Sequence, residues 1–124
     1  LYVACNQDAT IRKIVIATAA VSTLAGGGGV PRGRSDGVGT DAQFFSPNGL
    51  AADGSGDLFV ADSQNNIVRH VDTSSGAVTT VIGGLTPGVL PGPLPGQLSQ
   101  PVALALTPSG SLLITSENTV LIAH

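Results

Sequence analysis

Short segments in which apolar and polar residues alternate recur along the chain, and turns rich in glycine, serine and aspartate separate them. Alternation with a period of two is typical of β-strands that bury one face. Four consecutive segments of this kind lie at 48–52, 58–62, 67–71 and 77–82. Because tight turns separate them, they are predicted to form a four-stranded antiparallel meander.

This meander has a near-copy on either side of it. Residues 1–27 and 58–84 align at an offset of 57 without a gap, and ten of the 27 positions are identical. Residues 100–124 match the region that begins at residue 46, at an offset of 54. Four short strands repeated at such a period indicate consecutive blades of a β-propeller.

The segment SDGVGTDAQFFSPNGLAADGSGDLFVADSQNNIVRHVDTSSGAVTTVIGG, at 35–84, resembles the NHL repeat. The family's typical repeat runs approximately DG.G..A.F..P.GLA.D..G.LYVAD..N..IR.I...G.V.T.AG, and this segment follows it almost throughout. The resemblance extends over essentially the whole chain. It implies an all-β fold, a β-propeller of NHL type in which four-stranded blades, usually six, surround a central channel.

On this interpretation the chain holds about two to three blades of a partial propeller. We predict the end of one blade, a connection, a complete blade, a Pro/Gly-rich connection and the start of the next blade, at 1–26, 27–45, 46–83, 84–99 and 100–124. About ten strands cannot close six four-stranded blades, and the chain opens on Leu1 in mid-repeat. We therefore expect a fragment of a longer six-bladed propeller, or several copies that associate to complete the ring.

The composition supports strands and argues against several function classes. Only 10% of the residues are charged, 42% are hydrophobic and the net charge is −3. Without a basic cluster, a nucleic-acid surface is not expected. The longest apolar run, IVIATAAV at 14–21, is too short to span a membrane. The scarcity of Lys and Glu beside many Ser, Thr and Gly residues predicts an extracellular or cell-envelope location.

Asp62, Asn65 and Arg69 fall at the most characteristic polar positions of the repeat. They could act as an acid, a polar relay and a cation that face a ligand. Alternatively, they form a structural clasp across the turn between strands two and three of the blade. We favour the clasp, because partly buried polar groups need hydrogen-bond partners.

The other two repeats keep this set only in part. Cys5 and Ser116 replace the aspartate in the first and third repeats. Arg12 keeps the arginine of the first repeat, with only Asp8 as a nearby acid. Gradual loss from copy to copy is typical of degenerate structural repeats rather than of an active site.

The connection at 27–45 carries the residues predicted to meet a partner. Connections between blades lie on one face of a propeller, and binding residues are often found on such loops. The candidate contact residues are Arg32, Arg34, Asp36 and Asp41. Phe44 and Phe45, at the end of the connection, are predicted to plug the seam between blades. The GGGG and DGVGT segments lack the Lys-Ser/Thr or the helix context of phosphate-binding loops.

The second connection is rich in proline. A ligand for an SH3-like module is conceivable for such a segment, but no Arg or Lys flanks it and it occupies the place of the first connection. We predict a stiff inter-blade loop whose apolar residues pack on the propeller face. Those residues are Leu85, Val89, Leu90, Leu94 and Leu98.

We assign no catalytic, metal-binding or cofactor-binding residue and expect no cofactor. The DGSGD segment at 53–57 lacks the Gly and Glu that complete a calcium loop, so a β-turn is expected. Cys5 has no second Cys and no nearby His, and is predicted to be a small buried residue. His70 and His124 would share a metal only if the fold brought them together.

The predicted function is a non-enzymatic interaction or scaffold module that binds a protein or a surface glycan. The alternative is part of a propeller enzyme, lyase- or lactonase-like, whose channel metal is held by blades not present here. The resemblance implies this alternative, because some related propellers hold a metal on their inner strands. Here the inner strands NGLAAD and VALALT offer Asn48 and little else. RNA binding would require a basic loop face.

Overall fold

The computed structural model describes residues 1–27, 32–84 and 97–124. The strands in these ranges are β1 Tyr2–Cys5, β2 Thr10–Val15, β3 Ala20–Gly26, β4 Gly37–Val38, β5 Pro47–Ala52, β6 Asp57–Asp62, β7 Ile67–Asp72, β8 Ala77–Gly83, β9 Pro101–Leu106, β10 Leu112–Ser116 and β11 Thr119–Ala123. Two single 3₁₀ turns, η1 Gly39–Asp41 and η2 Ser63–Asn65, accompany them. Within the described ranges, no helix is long and apolar enough to cross a membrane.

The strands form three antiparallel sheets, which are three consecutive blades. Blade one has the order β1-β2-β3, blade two β4-β8-β7-β6-β5 and blade three β11-β10-β9. The strands predicted from the alternation lie where the sequence indicates, and each pairs with its neighbour along the chain. The molecule is therefore an all-β protein and part of a β-propeller.

Blade two has one more strand than the sequence indicates. The two-residue strand β4 pairs with the outer edge of β8, with Gly37 opposite Val78 and Val38 opposite Ala77. The first connection thus joins the sheet before it reaches the inner strand β5. This pairing covers a strand edge that would otherwise be open to other chains.

Each seam between blades is an apolar layer that includes one fully buried residue of the connection. Phe44 lies between blades one and two, in one cluster with Ile11 and Val60. Leu98 lies between blades two and three, in one cluster with Ile114. Phe44 and Leu98 are separated by 54 residues, the offset of the second and third repeats. The two seams are therefore built in the same way.

Two predictions about these apolar residues are wrong. Phe45 does not plug the seam: Phe44 fills it, and 36% of Phe45 is exposed. Leu98 does not pack on the propeller face, because its repeat position places it in the seam. The other apolar residues predicted for the second connection, and part of the GGGG segment, lie outside the described residues: Leu85, Val89, Leu90, Leu94, Gly28 and Gly29.

Adjacent blades approach each other closely at their inner strands. A Cβ atom at Gly49 of β5 would overlap the carbonyl oxygen of Val102 and the Cα atom of Ala103, both on β9. Only glycine leaves room for such an approach. Small residues on the inner strands therefore let the blades meet around the axis.

Blades one and three each expose an apolar face. Leu1 and Val21 of blade one are 64% and 53% exposed, whereas their equivalents in blade two, Leu58 and Val78, are each 1% exposed. The exposed apolar residues of β11 on blade three are Val120 and Ile122. The central blade is covered on both faces, and each outer blade on one.

Candidate functional site

Arg69, on β7, is fully buried and is surrounded by oxygen atoms of the first connection and of β6. Its Nη1 donates hydrogen bonds to the carbonyl oxygen of Gln43 at 2.8 Å and to Oδ2 of Asp62 at 3.3 Å. Its Nη2 donates to the carbonyl oxygen of Ser35 and to Oδ1 of Asp36, both at 2.9 Å. A single guanidinium group therefore binds two backbone carbonyls and two carboxylates.

Asp62, the last residue of β6, is also fully buried. Its Oδ1 accepts a hydrogen bond from the backbone N–H of Phe45 at 2.8 Å, and its Oδ2 accepts one from Nδ2 of Asn65 at 2.7 Å. Burial raises the pKa of Asp62 above its ordinary value, while these hydrogen bonds and the charge of Arg69 act in the opposite direction. Nδ2 of Asn65 also donates to the carbonyl oxygen of Gly33 at 2.7 Å.

The structure thus brings the clasp residues Asp62, Asn65 and Arg69 together, and their partners show what the clasp holds. Besides linking β6, η2 and β7, it fixes the connection from residue 33 to residue 45 onto the blade. The ring of Phe44, 5.2 Å from the Arg69 guanidinium, packs over it. These contacts give the clasp a structural task, since its polar atoms bind parts of the same chain.

The third repeat performs part of this task with a hydroxyl group. Oγ of Ser116 accepts a hydrogen bond from the backbone N–H of Ser99 at 2.8 Å and donates one to its carbonyl oxygen at 2.9 Å. Ser99 and Ser116 are equivalent to Phe45 and Asp62 at the offset of 54. By residue type, the change from Asp to Ser at position 116 looks like the loss of the clasp. Asp62 and Ser116 nevertheless share one property, a hydrogen-bond acceptor on a short side chain.

In the first repeat, the equivalent positions have no such network among the described residues. Cys5 is a half-buried free thiol rather than the fully buried residue that the sequence predicts. Arg12 is half-buried, and the described residues give it no ion pair with Asp8. Blade one therefore carries the arginine of the clasp without its carboxylate.

Arg32, one of the four residues predicted to face a partner, is exposed on the connection. Its Nη2 donates a hydrogen bond to the carbonyl oxygen of Gln7 at 2.7 Å. Its guanidinium lies 5.8 Å from the ring centre of Phe45, within the range of a cation–π contact. The connection thus presents an exposed cation and an aromatic ring side by side.

The other three predicted contact residues have different environments. Asp36 binds Arg69 and also accepts a hydrogen bond from Oγ1 of Thr80 at 3.0 Å, so it serves the clasp. Arg34 is half-buried, and Asp41 is exposed within η1. Asp36 therefore serves the clasp although about half of its side chain, 51%, is exposed.

A chain of amide and hydroxyl groups that the sequence does not reveal crosses all three blades. Nδ2 of Asn6 donates to Oγ of Ser46 at 2.7 Å and to Oδ1 of Asn48 at 2.6 Å. Nδ2 of Asn48 donates to Oγ of Ser63 at 2.7 Å, and the Ser63 hydroxyl donates to the carbonyl oxygen of Pro101. Asn48, which the sequence offers as a channel-facing ligand, therefore uses both ends of its amide within the protein.

The DGSGD turn, at the other end of the strands, is organised by the carboxylate of Asp53. Its Oδ1 accepts hydrogen bonds from the backbone N–H groups of Ser55 and Asp57 at 2.8 and 3.0 Å, and its Oδ2 accepts one from the Ser55 hydroxyl. These hydrogen bonds, chiefly the one from the Ser55 hydroxyl, lower the pKa of Asp53 to about 2. Thr107 accepts a hydrogen bond from the N–H of Ser111 at the equivalent turn of blade three. The DGSGD segment bends tightly between β5 and β6, and the predicted β-turn stays a prediction.

The two histidines have separate partners. Nε2 of His70 lies 3.2 Å from Oδ1 of Asp57, and its ring meets the edge of Phe59 with 5.6 Å between ring centres. Nδ1 of His124 lies 2.8 Å from Oγ of Ser111. In the part of the chain that the structure describes, no three His, Cys, Asp or Glu side chains gather as metal ligands.

No family model matches the chain. NHL repeat-containing protein 2 of Homo sapiens is 31% identical over 125 residues, which are 94% of this chain and 17% of that protein. Its Gallus gallus counterpart is 41% identical over 76 residues, 61% of this chain and 10% of that protein. Protein SUPPRESSOR OF QUENCHING 1, chloroplastic, of Arabidopsis thaliana is 30% identical over 130 residues, 99% of this chain and 12% of that protein. The chain thus spans less than a fifth of the length of these relatives.

Two solved structures from Bacteroides thetaiotaomicron share the fold. A structural genomics protein of unknown function superposes with a TM-score of 0.81 at 23% identity, over 93% of this chain and 29% of that one. An auxiliary nutrient binding protein superposes with a TM-score of 0.78 at 19% identity, over 99% of this chain and 35% of that one. The chain carries three repeats that form blade-like sheets, shares its fold with these structures and is similar to NHL repeat-containing proteins. It therefore belongs to the NHL-repeat family of β-propellers.

Proposed function

We propose that the chain is a non-enzymatic interaction module that binds another protein or a surface glycan. The binding surface is the connection face, defined here by the exposed residues Arg32 and Phe45. The observation that carries this proposal is the way the clasp fixes the first connection. Two buried side chains, Asp62 and Arg69, the half-buried Asn65 and the ring of Phe44 hold this long segment in one conformation.

A rigid support of this kind favours binding. Loops ordered in advance lose less conformational entropy when a partner binds. Arginine and aromatic side chains are enriched among the residues that dominate binding energy at protein interfaces. Arg32 and Phe45 are exposed and in contact with each other on this anchored segment.

In the longer proteins to which the chain is similar, such a module would serve as a scaffold beside other domains. The predicted extracellular or cell-envelope location fits this role and stays a prediction. The alternative of a propeller enzyme also stays a prediction, and no contact among the described residues favours it over the interaction module.

The test is quantitative affinity purification from the source cells, together with binding to a glycan array. The tagged protein is compared with an Arg32→Ala/Phe45→Ala variant and with a Thr18→Ala control. Thr18 is exposed on the turn between β2 and β3, at the other end of the blades. We expect the double variant to lose its partner and the control to keep it.

Thermal unfolding of both variants checks that the fold is intact. Equal recovery of every partner by the wild type and the double variant would contradict the proposal. So would a partner that is lost only when Thr18 is changed, because that would place the binding surface at the other end of the propeller.

A further inference from the structure

The arginine and the outer strand that hold the connection on blade two both recur on blade one. Arg12 on β2 is equivalent to Arg69, and β3 is equivalent to β8, at the offset of 57. On blade two, the edge of β8 pairs with β4, and Arg69 binds the carbonyl oxygen of Ser35 and the carboxylate of Asp36. Blade one therefore offers the same two elements of recognition.

On blade one, β3 packs against β2 and η1, but no described strand pairs with its outer edge. β3 pairs with β2 alone among the described strands. In the same ranges the side chain of Arg12 makes no hydrogen bond or ion pair, and its Nε is buried without a partner. Nε of Arg69 also has no partner among the described residues. Within these ranges the two arginines therefore differ only at their Nη groups, which bind oxygen atoms in Arg69 and none in Arg12.

The balance of charge also differs between the two blades. Two carboxylates flank Arg69, with Asp36 at 2.9 Å and Asp62 at 3.3 Å. Cys5 takes the place of Asp62 in blade one, so this blade provides no equivalent acid for Arg12. A segment that docks there must therefore supply the carboxylate itself, which makes an acidic residue the main requirement for binding.

We propose that Arg12 and the outer edge of β3 form a docking site for an extended acidic peptide, the connecting segment of another NHL repeat. Its chemistry is that of residues 35–38: a carboxylate and the preceding carbonyl oxygen bind the Nη groups of Arg12. Its next residues add a short antiparallel strand to β3, beside Ala20 and Val21. This site is separate from the connection face and does not depend on the function proposed above.

The spacing of the first connection indicates a further feature of the ligand. Phe44 follows Asp36 by eight residues and packs over the same guanidinium that Asp36 binds. A connecting segment with an aromatic or large apolar residue at this distance from its acid can cover Arg12 in the same way. It would also shield the exposed face around Val21 from water.

The experiment uses a synthetic peptide with the sequence of residues 33–45, GRSDGVGTDAQFF, titrated into the isotope-labelled chain and followed by NMR. The protein's own copy of this segment is tethered beside blade two at a high effective concentration, so the free peptide does not displace it. We expect shifts at the amides of β3 and at the Arg12 side chain. Substitution Arg12→Ala should weaken binding by about tenfold or more, since it removes charge-assisted hydrogen bonds.

Lys13→Ala is the matched control, because Lys13 is the neighbouring cation and is exposed; it should change affinity less than about twofold. A peptide with Asn at the position of Asp36 tests the site without altering the protein, and should bind as weakly as the wild-type peptide binds the Arg12→Ala variant. The proposal is overturned if the peptide does not bind, if Arg12→Ala binds it as well as the wild type, or if the shifts fall on β8 instead of β3.

Discussion

Arg69 shows how one buried side chain orders a long connection. Its two Nη groups bind carbonyl oxygens at Ser35 and Gln43 and carboxylates at Asp36 and Asp62, which come from separate stretches of the chain. Breaking a buried ion pair costs more than forming it gains, because the remaining charge stays buried without a partner. The consequence at the residue scale is that stability depends strongly on this one guanidinium.

We expect Arg69→Ala to lower the free energy of unfolding by about 3–5 kcal/mol, because Asp62 would be left buried without its cation. Arg12→Ala is a matched control from the equivalent repeat position and should cost about 1 kcal/mol or less. Urea unfolding of the three proteins measures both effects. Similar losses for the two variants would show that the bonds of Arg69 do not stabilise the fold.

The turn carboxylates predict a pH dependence. The pKa values of Asp53 and Asp72 are lowered from the ordinary 3.8 to about 2, chiefly by the hydroxyls of Ser55 and Ser74. When the pH falls from about 4 to about 2, the unfolded chain takes up these protons first, so this stabilisation is lost on acidification. The stability difference between the wild type and an Asp53→Asn/Asp72→Asn variant should therefore shrink over this range in denaturant unfolding. A difference that does not change with pH would contradict this account.

At the scale of elements, the blade strands could be predicted because two independent signals agree. Alternation marks each strand, and the repeat offsets place the same strand three times. β4 could not be predicted, since two residues, Gly37 and Val38, carry no periodicity of their own. It forms because the clasp and Phe44 hold the segment around it against the edge of β8.

The candidate site was predictable in its residues and not in its partners. Asp62, Asn65 and Arg69 stand out as polar residues at repeated positions, and the structure places them together. Their main partners in the connection are backbone groups, which every residue carries and no pattern reveals. The same holds for Ser116, whose function lies in one acceptor atom rather than in its residue type.

The two neighbouring phenylalanines provide a test of the seam. We expect Phe44→Ala to destabilise the protein by about 3–5 kcal/mol, because it leaves a cavity between blades one and two. Phe45→Ala removes the same ring one position later, at an exposed site, and should cost about 1 kcal/mol or less. Denaturant unfolding separates the two values. Equal costs would mean that the seam closes equally well without the Phe44 ring.

At the scale of the whole molecule, three blades in a row leave two dissimilar apolar faces. The exposed face of blade one is equivalent to the face of blade two that packs on blade one. The exposed face of blade three corresponds in turn to the face of blade two that packs on blade three. Faces of opposite kind can join head to tail, which produces closed rings or open arrays rather than symmetric pairs.

We therefore expect the 124-residue chain to associate as its concentration rises. Ile122→Lys, on the exposed face of blade three, should lower the mean particle mass in light scattering, because a buried charge without a partner disfavours the contact. Ala17→Lys, on the exposed turn between β2 and β3 of blade one, is the control and should leave the mass unchanged. A wild-type chain that stays monomeric at every concentration would contradict this expectation.

The positions of Phe44 and Leu98 also have a consequence for the order of synthesis. Each residue lies just before the inner strand of its blade. The ribosome therefore adds it after the preceding blade is complete and before the next blade, which it will link to the preceding one. Chains grow by about 5–20 residues per second, so for a few seconds Phe44 can pack only against blade one. If the blades fold in the order of synthesis, each new blade packs on an apolar surface that the preceding blade and the buried connection residue have already formed.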